Sequence, residues 1–396
     1  MKILFIQGGS RLKQDTEGNW YTDPNFNDDV WKRYVDLADS LTILLRRERK
    51  IYTKEYALQK FNKVLDDSRI RIVPLVDFTE SKLSMLNPFV YKEIKRVIFA
   101  EVQKADKCFI RSGSHYTRVA YDACIKYHKP YLFEATGFAY ESFSHHSLIG
   151  RIIANKVEND YRLMARDAVQ ATYVTSEALQ KRYPCASGKM IGVSNVQLSA
   201  LDDSILTKRL EKIQKRQSSD TLVLGTAAFL DVKWKGQYLV IKALAELKKQ
   251  GYTNFRYELL GMGTGQELIK LAESLGVKDE VKVIGAVPHS KVFEWLDSLD
   301  LYIQPSFQEG LCRAIIEAMS RGLPVVCSNT GGNYELIDND YIFDCGDYNK
   351  MSSLLIDIQG HLSEQSKKNF EESKKYEKSM LDSRRKAFFR EFVNMQ

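Results

Sequence analysis

The most constraining feature of this chain is an alternation of short apolar runs with helix-length amphipathic segments, which occurs twice along its 396 residues. In the first half, strand-like runs occur at 69–75, 107–112, 130–135, 171–176 and 189–193. In the second half, they occur at 221–227, 255–261, 280–286, 299–306 and 323–329. Continuous apolar runs are typical of strands buried on both faces, and the intervening segments are long enough for crossover helices. The pattern predicts two parallel α/β sheets, joined near 194–200.

Chain length supports two domains, because a single hydrophobic core stops growing at about 250–300 residues. We predict a first domain over 1–195 and a second over 196–375. We expect the charged helical tail, 376–396, to pack back on the first domain, since its apolar residues repeat at helical spacing. The apolar run in "MKILFIQGGS" is too short for the core of a signal peptide, and no segment reaches the ~18 apolar residues of a membrane span. The expected location is therefore the cytoplasm.

The net charge of +7 comes from the first half, where residues 1–195 hold 31 Lys and Arg against 23 Asp and Glu. The stretch 44–63 interleaves Arg46, Arg47, Arg49, Lys50 and Lys54 with Ile51, Tyr52, Tyr56 and Phe61. We interpret it as a basic, aromatic-bearing helical surface, which suits the anionic inner face of a cell membrane. A solvated helix face remains the alternative. No recognition-helix, zinc-finger or RNP-type signature accompanies the charge, so we expect no nucleic-acid partner.

The segment from Ser306 to Arg321, "SFQEGLCRAIIEAMSR", combines a helical apolar stripe with flanking glutamates. Glu309 and Gly310 precede the predicted first turn, where unpaired N–H groups favour an anion and glycine lets a phosphate approach closely. Arg313 and Glu317 lie opposite the apolar stripe of a helix predicted over 311–321. The two carboxylates are suited to accept hydrogen bonds from sugar hydroxyls on either side of the anion. A solvated helix remains the alternative interpretation of this spacing.

An ordered series of motifs between 225 and 337 carries a resemblance to a known family. It comprises "DVKWKGQ", "ELLGMGTG", "VIGAVPHSKVFEWLDSLDLYIQPSFQEGL", "IIEAMSRGLPVV" and "SNTGGNYELI". On these residues the chain resembles family 4 of the retaining glycosyltransferases, which have the GT-B fold of two Rossmann-like parallel-sheet domains facing across a cleft. The amino half matches more loosely through "QGGS", "CFIRSGS", "KPYLFEATG" and "YVTSEALQKRYP". It is similar to relatives found in bacterial surface-polysaccharide assembly.

The resemblance implies transfer of a sugar from a UDP- or GDP-linked donor, with retention of the anomeric configuration and without a metal or other cofactor. The implied acceptor is a growing surface or capsular polysaccharide, or a lipid-linked glycan, held by the first domain while the second holds the nucleotide. "DND" at 338–340 imitates an Asp-x-Asp metal motif of another architecture, but it stands at a predicted helix end, where these residues suit a turn. We therefore expect no metal site.

The resemblance also implies roles for individual residues. Glu317 would bind the ribose hydroxyls and Glu309 the donor-sugar hydroxyls, while Gly310 and Leu311 would offer backbone N–H groups to the pyrophosphate. Lys235 would neutralise the leaving phosphate, which also fits its charge. The implied catalytic residues are then Glu309, Lys235 and Arg313. Further contacts with the sugar donor would come from Gly8, Gly9, Gly285, Val287 and Ser306.

Two departures from the family pattern affect the site. Where the family has Gly-Arg-Leu before this lysine, the chain has "AFL" at 228–230, and we expect Arg313 to substitute for the missing arginine. Thr136 stands where many members carry a histidine near the sugar. Glu134 and Arg111 are candidates for that role, as are the more distant His145 and His146.

Several alternative functions remain open on the sequence. A phosphorylase or a nucleotide-sugar epimerase would share the architecture, and the missing arginine and histidine would also fit a catalytically inactive scaffold of a polysaccharide-assembly complex. A nicotinamide-dependent oxidoreductase would bind NAD instead of UDP or GDP. The base, the sugar, the acceptor, the linkage and the oligomeric state are left open.

Overall fold

The computed structural model describes residues 1–23, 26–144 and 148–395. The chain forms two compact units, each containing a parallel sheet. The first unit comprises Met1–Tyr173, Leu179–Gly192 and Arg384–Gln396, and the second comprises Val174–Ala178 and Val193–Ser383. In the described part of the chain, no helix is both long and apolar enough to cross a bilayer.

The first unit is built on a doubly wound sheet in which β1 is central. Its strands are β1 (Lys2–Asp15), β2 (Trp20–Thr22), β3 (Ser40–Tyr52), β4 (Asn62–Lys63), β5 (Ile70–Val76), β6 (Lys107–Arg111), β7 (Tyr131–Ala135), β8 (Gln170–Tyr173) and β9 (Met190–Gly192). The parallel part has the order β5-β3-β1-β6-β7-β8-β9. In addition, β2 pairs antiparallel with the last part of β1, and β4 pairs antiparallel with β2. The strand order reverses between β1 and β6, the position at which open α/β sheets bind ligands.

The second unit repeats this winding with six parallel strands over its described residues. They are β10 (Leu222–Ala227), β11 (Phe255–Leu260), β12 (Val281–Gly285), β13 (Leu301–Gln304), β14 (Val325–Ser328) and β15 (Ile342–Phe343). Their order is β12-β11-β10-β13-β14-β15, so the switch point lies between β10 and β13. The predicted architecture of two parallel α/β sheets is confirmed, and each predicted apolar run overlaps a strand.

Helices cover these sheets along the whole chain. They are α1 (Asp28–Val35), α2 (Lys54–Lys60), α3 (Lys82–Leu86), α4 (Pro88–Lys104), α5 (His115–Lys126), α6 (Ala139–Ser144), α7 (Leu148–Arg166), α8 (Ala178–Arg182), α9 (Asp203–Lys215), α10 (Gln237–Lys249), α11 (Gln266–Ser274), α12 (His289–Ser298), α13 (Arg313–Met319), α14 (Tyr348–Asp357), α15 (Leu362–Ser373) and α16 (Lys378–Asn394).

The basic stretch 44–63 is not the helical surface that its charge pattern suggests. Residues 44–52 belong to β3, and only Lys54–Lys60 form a short helix. The prediction is wrong because β3 pairs with β1 on one side and β5 on the other, which buries Leu41, Ile43 and Leu45 at strand spacing. The cations that follow lie along the end of this strand, so they do not form one helical face.

Gly8 and Gly9 lie inside β1 and not in a loop that follows it. The pairing of β1 with β3 changes register between Ile6 and Arg11, so both glycines occupy an irregular part of the strand. A Cβ on Gly8 would lie 1.9 Å from the Ser114 Oγ. Glycine is therefore required where this strand meets the turn before α5.

The carboxyl-terminal residues complete the core of the first unit. Phe388, Phe389 and Phe392 belong to the same buried cluster as Phe5 and Phe109. The Phe389 ring centroid lies 4.9 Å from that of Phe109. The first unit therefore contains both ends of the chain.

Candidate functional site

Two loops meet at the carboxyl ends of β10 and β13, the switch point of the second sheet. The Phe307 N–H donates to the Trp234 carbonyl oxygen at 2.8 Å. Gly236 has φ +71°, and a Cβ there would lie 2.0 Å from the Pro305 carbonyl oxygen. Only glycine allows this approach, and it positions the neighbouring Lys235 against the second loop.

Lys235 and Glu309 form an ion pair across the two loops. The Lys235 Nζ donates to the Glu309 Oε1 at 2.7 Å, and the side chains are only 20% and 11% exposed. Burial by itself lowers the pKa of Lys235, but the Glu309 carboxylate outweighs it, so the net effect is a raised pKa. The lysine therefore remains charged in a largely enclosed position, where a cation acts strongly on a nearby anion.

A chain of buried hydrogen bonds orients the Glu309 carboxylate. The Ala227 N–H donates to the Tyr302 hydroxyl at 3.1 Å, and that hydroxyl donates to the Gln304 Oε1 at 2.8 Å. The Gln304 Nε2 then donates to the Ser306 Oγ at 2.7 Å and to the Glu309 Oε1 at 3.3 Å. Sequence reasoning missed Gln304, although an amide at the end of the apolar run "LYIQ" was an available signal.

Ser306 is part of this chain of hydrogen bonds. Its side chain is fully buried, and its carbonyl oxygen accepts from the Ser328 Oγ at 2.5 Å. These contacts hold the backbone of the loop in place. The expectation that Ser306 contacts a donor stays a prediction.

The turn at Glu309–Leu311 is held by the loop that follows β14. The Gly332 N–H donates to the Gly310 carbonyl oxygen at 2.7 Å, and a Cβ on Gly331 would lie 2.3 Å from the Glu309 carbonyl oxygen. Helix α13 begins at Arg313, two residues later than predicted, and ends at Met319. Gly310 and Leu311 therefore lie in the preceding turn, and their contact with a pyrophosphate stays a prediction.

Glu317 faces a histidine that the sequence did not single out. The Nε2 of His289 lies 3.6 Å from the Glu317 Oε1, and the side chains are 66% and 18% exposed. The nearby Glu317 carboxylate raises the pKa of His289, while burial and the positive charge of Arg313 oppose this increase. The positive charge of Arg313 also acts to lower the pKa of Lys235. Lys235 follows β10, whereas Glu309, Arg313 and Glu317 follow β13, so all four predicted charged residues come after the carboxyl ends of these two neighbouring strands. The position of His289 at the start of α12, shortly after Gly285, was the available signal.

Gly285 is the last residue of β12, and Val287 lies in the turn between β12 and α12. Gly285 has φ +82°, and its carbonyl oxygen accepts from the Gly261 N–H at 3.0 Å. No atom lies within 4 Å of a Cβ built there, so its positive φ accounts for the glycine without a ligand. Contact of these two residues with a base stays a prediction.

The loop after β10 carries the departure from the family pattern. Phe229 stands at the position of the missing arginine and is 52% exposed. Asp231 instead organises this region, because its Oδ2 accepts from the Thr264 N–H at 2.9 Å and its Oδ1 accepts from the Gly265 N–H at 2.9 Å. These bonds hold the glycine turn before α11.

Comparison with known proteins identifies the second unit. Residues 209–375, which include every predicted site residue of that unit, match the family described as glycosyl transferases group 1. These residues form a group 1 glycosyltransferase domain. The predicted class of enzyme, a glycosyltransferase, is confirmed.

Relatives of this glycosyltransferase agree with that result. The chain is 29% identical over 358 residues to protein CapJ of Staphylococcus aureus, covering 90% of this chain and 85% of CapJ. It is 35% identical over 113 residues to WcaL of Escherichia coli, a putative colanic acid biosynthesis glycosyltransferase, covering 27% of this chain and 28% of WcaL. Its fold is similar to that of Anabaena Alr3699/HepE, solved in complex with UDP, with TM-score 0.61, 16% identity and coverage of 97% and 98% of the two chains. The predicted GT-B architecture is confirmed.

The first unit of the glycosyltransferase contains a cavity of about 390 Å³ at its own switch point. Gly8, Gly9 and Thr136 line it, together with Ser114 and His115. The Thr136 Oγ1 forms a hydrogen bond with the hydroxyl of Ser112, another lining residue. The sequence did not single out the cavity residues on α5, although Ser114 caps that helix in a recognisable turn.

Arg111 and Glu134 lie in the interior of the first unit. The Tyr34 hydroxyl donates to the Glu134 Oε1 at 2.6 Å, and the Arg111 Nη1 lies 4.0 Å from the Glu134 Oε2. These contacts give both residues a structural role in the core. His145 and His146, the remaining candidates, lie outside the described residues.

The structure describes the possible metal ligands of the ranges 1–23, 26–144 and 148–395. No three His, Cys, Asp or Glu side chains in these ranges come together in a way that could hold a metal ion. That the reaction needs no metal stays a prediction.

Proposed function

We propose that this glycosyltransferase moves a sugar from a UDP- or GDP-linked donor to a growing surface or capsular polysaccharide or a lipid-linked acceptor, at the inner face of the cell membrane. The relatives support this proposal, since WcaL is named for colanic acid biosynthesis and HepE has been solved with UDP-glucose. The coverage of 85% of CapJ extends the relationship across most of the chain.

The observation that carries the proposal is the enclosed Lys235–Glu309 pair at the switch point. Loss of a nucleoside diphosphate places negative charge on the departing phosphate, and a positioned ammonium stabilises that charge. An ammonium has three N–H donors, of which Glu309 accepts one, so Lys235 keeps donors for a phosphate oxygen. Glu309 in turn fixes the direction in which the lysine points.

The neighbouring charged residues bind the other parts of the donor. Glu317 binds the ribose hydroxyls, and Arg313 supplies the positive charge that the family places at the position of Phe229. Glu309 binds hydroxyls of the donor sugar with the carboxylate that Gln304 orients. Each of these groups reaches the same edge of the second sheet, as donor binding there requires.

Retention of configuration is part of the proposal. The acceptor attacks from the side of the leaving group, and an oxygen of the donor's own phosphate takes its proton. A covalent glycosyl intermediate on a carboxylate is the alternative, as in retaining glycosidases, with Glu309 as the nucleophile. Its bonds from Lys235 and Gln304 favour the first route, because they reduce the nucleophilicity of that carboxylate.

A nucleotide screen tests the proposal first. The purified protein is heated with UDP, GDP, ADP, CMP or NAD, and a ligand at about 100 times its dissociation constant adds about 2.7 kcal/mol of stability. We expect UDP or GDP to raise the melting temperature, and the matching nucleotide sugar then to be consumed in the presence of acceptor. Stabilisation by NAD alone would contradict the proposal.

One second candidate is favoured by a specific observation. The exposed Phe229 at the arginine position fits an inactive scaffold, which would bind a nucleotide without turning it over. Donor hydrolysis or transfer by the purified protein excludes that candidate. A requirement for inorganic phosphate, or conversion of the donor without an acceptor, would instead identify a phosphorylase or an epimerase.

A further inference from the structure

The most exposed apolar side chains of the described residues lie at one end of the first unit. Leu86 is 83% exposed, Leu148 and Ile152 are each 79% exposed, and Phe89 is 77% exposed. The next most exposed large apolar residue in the described part of the chain, Met262, reaches only 57%. Apolar side chains exposed together in this way mark an interaction surface.

These residues belong to neighbouring helices on one face of the sheet. Helix α4 packs beside α5, with the Tyr91 and His115 ring centroids 5.0 Å apart. Helix α7 packs on the other side of α5 through an ion pair between Arg118 and Asp160. Arg118 is the fourth residue of α5 and Asp160 the thirteenth of α7, so α7 begins about 13 Å beyond the start of α5 at ~1.5 Å per residue. Leu148 and Ile152 lie on this projecting part of α7. Leu86, the last residue of α3, and Phe89, near the start of α4, lie on the other side of α5.

Exposed lysine and arginine side chains lie on the same helices as most of these apolar residues. Residues 86–96 contain Lys92, Lys95 and Arg96 against a single acid, Glu93. Residues 148–157 contain Arg151 and Lys156 and no acid. Lys92, Lys95, Arg151 and Lys156 are all exposed. Exposed apolar residues with exposed cations on the same helices match the interfacial region of a bilayer that contains anionic lipid.

We propose that this part of the first unit, the α4–α7 surface, docks on an anionic lipid bilayer. It consists of Leu86, Phe89, Leu148 and Ile152 with Lys92, Lys95, Arg151 and Lys156. The basic stretch 44–63 is a poorer candidate, because it forms a strand in which Arg46 lies 3.6 Å from Asp77 and Arg49 lies 2.6 Å from Glu80. Its cations are therefore partly neutralised within the protein.

The position of the surface bears on the acceptor, and this step alone rests on the proposed function. Phe78 and His115 line the cavity of the first unit, and both rings contact Tyr91 of α4. A bilayer held by the α4–α7 surface would thus lie beside that cavity. Of the proposed acceptors, a lipid-linked glycan is the one that this arrangement favours.

Sedimentation of the full chain with lipid vesicles tests the surface without depending on sugar transfer. We expect binding at low salt to vesicles that contain phosphatidylglycerol, and weak binding to pure phosphatidylcholine. The variant Leu86→Ser/Phe89→Ser/Ile152→Ser should lower the partition coefficient at least about tenfold, because three apolar side chains no longer enter the interface. Lys92→Gln/Lys95→Gln/Lys156→Gln should lower it by about fivefold per cation.

The matched control is Ile51→Ser/Leu58→Ser/Met262→Ser, which removes three exposed apolar side chains from other parts of the chain. It should bind vesicles like the unmodified protein. Failure of the unmodified protein to bind anionic vesicles would overturn the proposal, as would loss of binding in the control but not in the first variant. A dimer in solution that only the first variant converts to a monomer would show instead that a second copy covers the surface. Loss of transfer with normal vesicle binding would count against the proposed function alone.

Discussion

Lys235 and Glu309 are both largely enclosed. A charge in either position is favourable only because the opposite charge of the other residue lies beside it. A buried charge without a partner is strongly unfavourable, and Glu309 helps to keep Lys235 ionised. In the proposed function, this ion pair holds the cation in place before negative charge develops on the leaving phosphate.

Lys235→Ala should therefore reduce transfer by about 100-fold or more, because it removes the charge that stabilises the departing phosphate. The measurement is turnover at saturating donor. Lys233→Ala is the matched control, since Lys233 lies in the same short turn but is exposed and should leave turnover near normal. Near-normal turnover in Lys235→Ala would rule out the proposed role of the lysine.

Glu317→Ala should weaken nucleotide binding without unfolding the protein, because it removes the acceptor of the ribose hydroxyls. The dissociation constant of the stabilising nucleotide, measured by calorimetry, tests this expectation. An unchanged constant would exclude the ribose role. The melting temperature of the free variant serves as the control for folding.

His289 predicts a pH dependence of nucleotide binding. Glu317 raises the pKa of His289, so the imidazole stays protonated to a higher pH than usual and competes with a ribose for that carboxylate. Affinity should fall as the pH decreases through this pKa. In His289→Asn the fall should be smaller, with calorimetry from about pH 5.5 to about pH 8.5 as the measurement. The same pH profile in both proteins would show that His289 does not compete.

Some of these residues could be predicted from the sequence, and others were found only in the structure. Lys235, Glu309 and Glu317 were predicted because each lies in a motif whose order along the chain is specific. Gln304 and His289 were not, since their importance comes from side chains brought together by strands and helices distant in sequence. No pattern along the chain records such a contact.

At the scale of secondary-structure elements, the loops at the switch point depend on glycines that allow close backbone approach. Gly236→Ala should reduce the free energy of unfolding more than Gly251→Ala, because only at Gly236 would the new Cβ meet another backbone atom. Both residues have positive φ, which costs an alanine about 1 kcal/mol, and the clash at Gly236 should add roughly 1–3 kcal/mol. Urea denaturation measures the difference, and equal losses would contradict this packing argument.

The stretch 44–63 shows why element type could not be predicted from local pattern alone. Its charge spacing is compatible with a helix, but pairing with β1 and β5 satisfies its backbone and buries its apolar residues. Tertiary pairing of this kind overrides local propensity. Strands in the second unit were easier to predict because each is short, apolar and bounded by glycine, proline or polar residues.

At the scale of the whole molecule, the first unit is completed by the end of the chain. Phe389→Ala should destabilise it by about 3–5 kcal/mol, since the ring is buried between Tyr34 and Phe109. Met380→Ala, a change on the same helix at a half-exposed position, should cost far less. Scanning calorimetry of the two variants tests this expectation, and similar melting temperatures would contradict it.

The amino-acid sequence by itself determined the two parallel α/β sheets, the glycosyltransferase class and the charged residues that we propose for the donor site. These follow from apolar periodicity and from motifs whose residues are close together along the chain. Only the tertiary structure decided which groups orient those charges, that the basic stretch is a strand, and where exposed apolar side chains collect. These properties depend on contacts between distant residues, and such contacts exist only once the chain has folded.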